Sequence, residues 1–255
     1  MTSPGRPFFR HLLNGLLGAE DSLRRRAFGR LRWTLATPPR DWFDREKRKL
    51  FGAVRTSTMA SYRRLSGIYD LCRRAEAEAL PGAFVECGAW KGGAAGVMAA
   101  VARAAGRGRR TWVFDSFEGL PDPAEADGPG AKPWAGRCAA RLEDAERLLF
   151  GTLRLDRDRV VLRKGWFRDT LPAARAEIGP IALLRLDGDW YESTRVSLEN
   201  LYDGVIPGGF VILDDYGFWE GFRRAVDEFL AGRKIAPEIV PVDRSAAWFR
   251  KPPAQ

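Results

Sequence analysis

Short apolar segments alternate with segments of helical periodicity between residues 83 and 231, and this alternation limits the possible folds more than any other feature of the sequence. The apolar segments with the length of buried strands are residues 83–87, 111–114, 159–162, 181–186 and 209–213. Helices are predicted for residues 92–105, 191–202 and 220–231. Apolar strands separated by helices are typical of a parallel sheet covered on both faces. We therefore predict an α/β fold with a Rossmann-like, doubly wound, mostly parallel sheet.

The flanking and inserted segments complete this prediction. Apolar residues recur at steps of three and four between residues 58 and 79, which predicts an amphipathic helix before the first strand. Two late apolar runs, residues 238–242 and 246–249, are expected to pair as an antiparallel edge of the sheet. Residues 120–141 follow the second strand and are rich in Pro, Gly, Asp and Ala. A segment of this length is typical of a lid over a ligand site, with partial disorder as the alternative.

The N-terminal region differs in composition from the rest of the chain. Residues 1–55 are predicted to form a basic arm, and residues 56–255 the main domain. Apolar positions between residues 8 and 17 indicate a short amphipathic helix in the arm. Much of the net charge of +9 lies in this region, which raises the possibility of nucleic-acid binding. No zinc-finger or ribonucleoprotein signature accompanies the charge, so we expect no nucleic-acid partner.

The counts of reactive residue types restrict both the compartment and the chemistry. Cys72, Cys87 and Cys138 form no CxxC pair, which argues against a zinc site or a disulfide framework and favours a reducing, cytoplasmic compartment. No apolar run reaches the roughly 20 residues of a membrane span. The one histidine, His11, lies in the arm. A general base in the main domain must therefore be a carboxylate, lysine, tyrosine or cysteine.

Ligands of doubly wound sheets bind beyond the carboxyl ends of the strands, so the residues at those ends indicate the function. The first strand runs through Glu86 into Gly88, Gly92 and Gly93, without the GxGxxG pattern that cradles a pyrophosphate. An acidic residue followed by spaced glycines suits a cationic aminoacyl ligand instead. The second strand ends at Asp115, where a carboxylate can accept hydrogen bonds from both hydroxyls of a ribose.

Two pairs of carboxylates follow the fourth and fifth strands. Asp187 and Asp189 follow the fourth strand, and Asp214 and Asp215 follow the fifth. Adjacent strands would bring the pairs together, and like charges in one desolvated cleft raise each other's pKa values unless a cation joins them. A ligand set of oxygens without His or Cys points to Mg²⁺, Mn²⁺ or Ca²⁺ rather than Zn²⁺.

Taken together, these motifs resemble the macrocin O-methyltransferase family, which methylates sugar hydroxyls of natural products. The blocks that carry the resemblance include DGDWYEST at residues 187–194 and GGFVILDDY at residues 208–216, and the similarity covers about residues 56–250. It implies an S-adenosylmethionine-dependent, Mg²⁺-dependent methyltransferase that acts on a sugar-bearing small molecule. The arm and residues 122–141 match the family poorly, and there we expect substrate recognition and the contacts of a homodimer.

The resemblance also implies roles for individual residues. It assigns Mg²⁺ to Asp187, Asp214 and Asp215, which makes Asp187 catalytic through the metal, and it assigns the general base to Asp189. The residues implied to contact the cofactor are Glu86, Gly88 and Trp90 at the methionyl group, Asp115 and Ser116 at the ribose, Gly165 and Trp166 at the adenine, and Thr58 and Met59 at a helix start.

Two other functions are compatible with parts of the sequence. Asp187-Gly188-Asp189 matches the metal-binding DxD of nucleotide-sugar glycosyltransferases, although this reading leaves Asp214, Asp215 and the Glu86 turn without a role. A non-catalytic protein that binds nucleic acid or a membrane surface through the basic arm is the second alternative.

Overall fold

A computed structural model describes residues 37–253 of the chain. The chain divides into two compact units, Met1–Phe43 and Asp44–Gln255. The described part of the first unit contains a single 3₁₀ turn at Pro39–Asp41. The helix predicted near residues 8–17 and the histidine at position 11 lie outside the described residues.

The second unit begins with two helices, α1 (Arg45–Val54) and α2 (Tyr62–Ala77). The prediction of one helix over residues 58–79 was too long at both ends. Helix α2 starts at Tyr62 because the Ser61 side chain accepts the backbone N–H of Arg64 and caps the first turn. Thr58 has extended dihedral angles and therefore lies in the segment that leads into the helix rather than inside it.

The predicted sheet is confirmed, including its antiparallel edge. Its strands are β1 (Ala83–Cys87), β2 (Thr111–Asp115), β3 (Val160–Lys164), β4 (Ile181–Leu186), β5 (Val205–Leu213), β6 (Val240–Pro241) and β7 (Ala247–Arg250). The spatial order is β3-β2-β1-β4-β5-β7-β6. Strands β1 to β5 are parallel, whereas β7 is antiparallel to both β5 and β6. The strand order reverses between β2-β1 and β4-β5, which is where doubly wound sheets bind their ligands.

Helices pack on both faces of the sheet. They are α3 (Gly93–Ala105), α4 (Leu142–Glu146), which continues into a π-helical turn at Arg147–Thr152, α5 (Phe167–Ile178), α6 (Tyr191–Leu201) and α7 (Glu220–Gly232). Helix α5 was not predicted, because Pro172 lies inside it and proline removes a helical hydrogen bond. Its buried residues Leu171, Ala174 and Ile178 pack into the core. Tertiary packing therefore outweighs the local cost of the proline.

The segment at residues 120–141 is hydrogen-bonded to residues that follow β1 and β4. The buried Asp127 carboxylate accepts the backbone N–H of Tyr191 at 2.6 Å, at the start of α6. The indoles of Trp190 and Trp90 donate to backbone carbonyls of the segment at 2.9 and 3.2 Å. These bonds place the segment across the carboxyl edge of the sheet, where the sequence predicts a lid.

The structure also describes the cysteines and the apolar character of the helices. All three cysteines are free, and Cys72 and Cys87 are fully buried. Within residues 37–253, no helix has the length and apolar character needed to cross a membrane.

Candidate active site

The carboxylates predicted to bind a metal come together at one edge of the sheet. One oxygen each of Asp187, Asp214 and Asp215 lies within 4.8 Å of the others, and we call these residues the carboxylate triad. The strand register produces this arrangement, because Leu186 at the end of β4 is paired with Leu213 at the end of β5. The residues that follow therefore leave the sheet side by side.

A buried arginine supplies part of the countercharge. Arg185 precedes the triad on β4, and its side chain is only 3% exposed. One terminal nitrogen lies 2.8 Å from Asp187 Oδ2 and 2.7 Å from Asp214 Oδ1, and the other lies 2.5 Å from Glu86 Oε1. Glu86 and Arg185 are also direct neighbours in the β1–β4 register. Such charge-assisted hydrogen bonds to an ionised carboxylate fix its orientation.

A second arginine approaches the triad from outside the sheet. Arg64 on α2 donates to Asp214 Oδ2 at 2.6 Å and to Asp243 Oδ2 at 3.2 Å. Each oxygen of Asp214 therefore accepts from a different guanidinium. The expectation that a bound metal ion must let these carboxylates share the cleft was incomplete, because the guanidiniums of two arginines already neutralise part of their charge.

The environment separates the pKa values of the four aspartates. Burial raises the pKa of Asp187 to about 6, although Arg185 opposes the rise. Burial and the neighbouring Asp187 raise the pKa of Asp189 to about 8. Burial and the surrounding aspartates also hold the pKa of Asp215 well above its usual value. Burial acts in the same direction on Asp214, but the two arginines outweigh it and hold that pKa below its usual range.

Asp189 lies beside the triad with one oxygen already occupied. Its Oδ1 accepts the indole N–H of Trp219 at 2.8 Å. Its backbone has φ of +60°, which is strained for any residue with a Cβ. The side chain does not belong to the group of three that could hold a cation. Backbone strain of this kind is concentrated at functional sites, because the rest of the fold must compensate for its cost.

The turn after β1 packs directly against the triad. Gly88 has φ of +95°, and a Cβ at this position would lie 1.9 Å from the backbone oxygen of Asp187. Glycine is therefore required here for the approach of two strand ends, whereas the sequence suggested only the approach of a ligand. Glu86 is fully buried, and its Oε2 has no hydrogen-bond partner within residues 37–253. Burial raises the pKa of Glu86 to about 7, against the effect of Arg185.

Asp115 joins the ends of β1 and β2. Its Oδ2 accepts the backbone N–H groups of Ala89 and Trp90, both at 2.7 Å, and its Oδ1 accepts that of Phe117 at 2.6 Å. Burial raises the pKa of Asp115, and these three N–H groups oppose the rise. The next residue, Ser116, is buried and accepts the N–H of Glu118 through its hydroxyl. The carboxylate thus has a structural role that the sequence did not separate from ribose binding.

Most of the other residues implied to contact the cofactor lie around the same edge. Gly165 follows β3 and donates its N–H to the carbonyl of Asp115 at 2.9 Å, and the half-buried Trp166 directly precedes α5. Thr58 passes over the start of α3, where a Cβ on Gly93 would lie 2.6 Å from it. Its neighbour Met59 is 60% exposed. The structure therefore places Gly165 beside the end of β2 and Thr58 beside the start of α3, and its contacts do not locate the exposed Met59 at this edge.

Sequence reasoning missed Arg185, Arg64 and Trp219. Arg185 left a detectable signal, because it is the one charged residue in the apolar run IALLRL, directly before the aspartates. Arg64 and Trp219 left none, because their roles depend on contacts between elements distant in the sequence.

Comparisons with known proteins agree with this geometry. Residues 36–251 match the model of the macrocin O-methyltransferase (TylF) family. Demethyldecarbamoylnovobiocin O-methyltransferase of Streptomyces niveus is 39% identical over 199 residues, which are 76% of this chain and 75% of the relative. A tetracenomycin 4'-O-methyltransferase of Streptomyces olivaceus, named for a 2,3-dimethoxy-α-L-rhamnosyl substrate, is 39% identical over 204 residues, which are 76% of this chain and 75% of the relative.

The solved structure of the O-methyltransferase NovP superimposes with a TM-score of 0.71 at 37% identity, covering 77% of this chain and 82% of that one. These matches favour the methyltransferase interpretation of the DxD motif over the glycosyltransferase one. The chain belongs to the macrocin O-methyltransferase family and is an O-methyltransferase.

Proposed function

We propose that this enzyme transfers the methyl group of S-adenosylmethionine to a hydroxyl of a sugar on a small-molecule natural product, with Mg²⁺ bound by the carboxylate triad. The observation that carries the proposal is the convergence of Asp187, Asp214 and Asp215 within 4.8 Å, next to the glycine turn of β1. The names of the relatives, one of which specifies a rhamnosyl substrate, support the sugar-bearing acceptor.

The triad has the properties of a site for a hard divalent cation. Its donors are all carboxylate oxygens, the ligands that Mg²⁺ prefers. Asp215 Oδ2 is buried and has no hydrogen-bond partner among residues 37–253, a cost that a cation would remove. Mg²⁺ held there would act as a Lewis acid that lowers the pKa of an acceptor hydroxyl.

Asp189 is the residue that we propose as the general base. Trp219 fixes its Oδ1, which leaves Oδ2 to receive the proton of the acceptor hydroxyl. A base is most effective when its pKa lies near the working pH, and burial brings the pKa of Asp189 to about 8. Its carboxylate interacts electrostatically with Asp187 and Asp214 but does not belong to the triad.

The turns after β1, β2 and β3 form the proposed cofactor site. Glu86 Oε2, buried without a partner among the described residues, suits the cationic amino group of the methionyl end, with Gly88 and Trp90 beside it. Asp115 retains about one unused lone pair for a ribose hydroxyl, since a carboxylate offers about four acceptor positions and the backbone occupies three. The remaining contacts are proposed for Ser116, Gly165, Trp166, Thr58 and Met59.

Aromatic side chains border the base on the acceptor side. Trp134 and Phe218 contact the Trp219 ring at centroid distances of 5.6 and 4.7 Å, and they are 37% and 57% exposed. Apolar rings of this kind line many small-molecule sites, in which a few polar groups fix the orientation of the ligand. We propose that this surface receives the sugar-bearing acceptor, and that residues 120–141 close over it. A homodimeric, cytoplasmic enzyme remains part of the proposal.

A direct test combines the purified enzyme with S-adenosylmethionine and a panel of deoxysugar glycosides. We expect a mass gain of one methylene on the sugar, which disappears when EDTA removes the divalent cation. A hexose-sized gain with a nucleotide sugar as donor would contradict the methyl donor. Full activity in EDTA would contradict the metal.

A further inference from the structure

Arg64 differs from Arg185 in origin and in exposure. Arg185 comes from the sheet itself and is 3% exposed, whereas Arg64 comes from α2 and is 22% exposed. Arg64 contacts the triad at Asp214 alone, and its other partner, Asp243, lies near the C-terminal hairpin. Its guanidinium is therefore a second positive charge on a carboxylate that Arg185 already orients.

This placement has two effects that oppose each other. The hydrogen bond to Oδ2 helps to hold Asp214 in place, which would favour binding of a cation. The positive charge repels any cation that shares the same carboxylate. Asp214 has acceptor positions left after both bonds, so it can be a metal ligand while Arg64 stays in place.

The repulsion is the larger effect. A single charge and a double charge about 5 Å apart change an affinity by about tenfold even at the dielectric constant of water, and by more in a partly buried site. Orientation adds less, because Arg185 still holds Oδ1 at 2.7 Å when Arg64 is removed. Building on the metal site of the proposed function, we propose that Arg64 weakens divalent-cation binding by the triad through charge repulsion, which keeps the ion exchangeable.

The test uses the full-length protein, freed of metal, and a Mn²⁺ titration followed by electron paramagnetic resonance. Arg64→Gln removes the charge and keeps hydrogen-bond donors, whereas Arg64→Lys keeps the charge and loses the forked geometry. Arg63→Gln is the matched control, because Arg63 is the exposed neighbour on the same helix. Thermal unfolding of each variant, without metal, checks that the fold is intact.

We expect Arg64→Gln to bind Mn²⁺ about tenfold more tightly than wild type, with Arg64→Lys and Arg63→Gln close to wild type. Weaker or unchanged Mn²⁺ binding by a folded Arg64→Gln variant would overturn the inference. If that variant unfolds, weaker Mn²⁺ binding by Arg64→Lys would overturn it instead. In both cases, Mn²⁺ binding by wild type still supports the metal site. If wild type binds no Mn²⁺ at millimolar concentration, the metal of the proposed function fails, and this inference fails with it.

Discussion

Replacing Arg185 with methionine should destabilise the fold strongly, because the side chain is the buried partner of three acidic groups. Its nitrogens lie 2.5 to 2.8 Å from Glu86, Asp187 and Asp214, and it is 3% exposed. Methionine keeps an unbranched stem but is shorter, and it offers no charge and no donors. Removal of one partner from a buried ion pair costs about 3–5 kcal/mol, because the remaining charge stays buried without compensation.

The loss is measurable by thermal or urea unfolding. In a protein of this size about 1 kcal/mol lowers Tm by roughly 2–4 °C, so Arg185→Met should lower Tm by about 6–20 °C. Arg195→Met is the matched control, since Arg195 also binds two carboxylates, Glu192 and Glu199, but on the exposed surface of α6. Exposed pairs contribute about 0–1 kcal/mol, so the control should change little.

Two further measurements separate charge compensation from loss of packing. The double variant Glu86→Gln, Arg185→Met removes one of the charges that the single variant leaves unpaired, so it should regain about 1–3 kcal/mol. Mg²⁺ should raise the Tm of Arg185→Met more than that of wild type, because the ion replaces missing positive charge. If the single variant lost less than about 1 kcal/mol, or the double variant regained nothing, the buried charges would not be the reason for the arginine.

Other predictions concern the reaction and the surrounding turns. Asp187→Asn should abolish turnover, while calorimetry still detects S-adenosylmethionine binding by this variant. Activity of the variant that persists in EDTA would contradict the prediction. Asp189→Asn should slow turnover by about 10²–10⁴-fold. It should also remove the rise in rate with pH that deprotonation of Asp189 produces in wild type. Burial brings the pKa of Asp189 to about 8, and a bound cation would lower it. Burial and three nearby aspartates raise the pKa of Cys138 to about 11, so Mg²⁺ should accelerate its alkylation at pH 8, and an unchanged rate would refute the link. Gly88→Ala should cost about 4 kcal/mol or more, whereas Gly106→Ala, with positive φ but no neighbour within 4 Å, should cost about 1–2 kcal/mol in unfolding experiments.

The sequence was most informative where burial and chain direction act together. Strands β1 and β4 were predicted to the residue, because each is an apolar run, buried on both faces, that carries a single charged residue near its end. The parallel order then fixed which ends of the strands meet, so the meeting of Asp187 with Asp214 and Asp215 followed from topology alone. Neither result required knowledge of which individual side chains contact each other.

The sequence was less informative wherever a distant contact decides the local structure. Helix α5 forms in spite of Pro172, and α2 starts at Tyr62 because a single serine caps it. The second charge on Asp214 comes from Arg64, 150 positions earlier in the chain. Local propensity cannot reveal such pairs, because their free energy exists only after the elements have packed.

The balance of charge connects the arginines with the proposed reaction. The site contains five buried or half-buried carboxylates and the two guanidiniums of Arg64 and Arg185, so its formal charge is −3 when every carboxylate is ionised; the carboxylates are Glu86, Asp187, Asp189, Asp214 and Asp215. A bound dication would reduce this charge to −1, and a sulfonium cofactor would bring the site close to neutrality. In the proposed reaction, methyl transfer would turn the sulfonium into a neutral thioether, while Asp189 would accept the hydroxyl proton and its carboxylate would become neutral. The site would thus lose one positive and one negative charge in the same step, so its net charge would be unchanged. A desolvated site favours such a balanced step, because no uncompensated charge has to form within it.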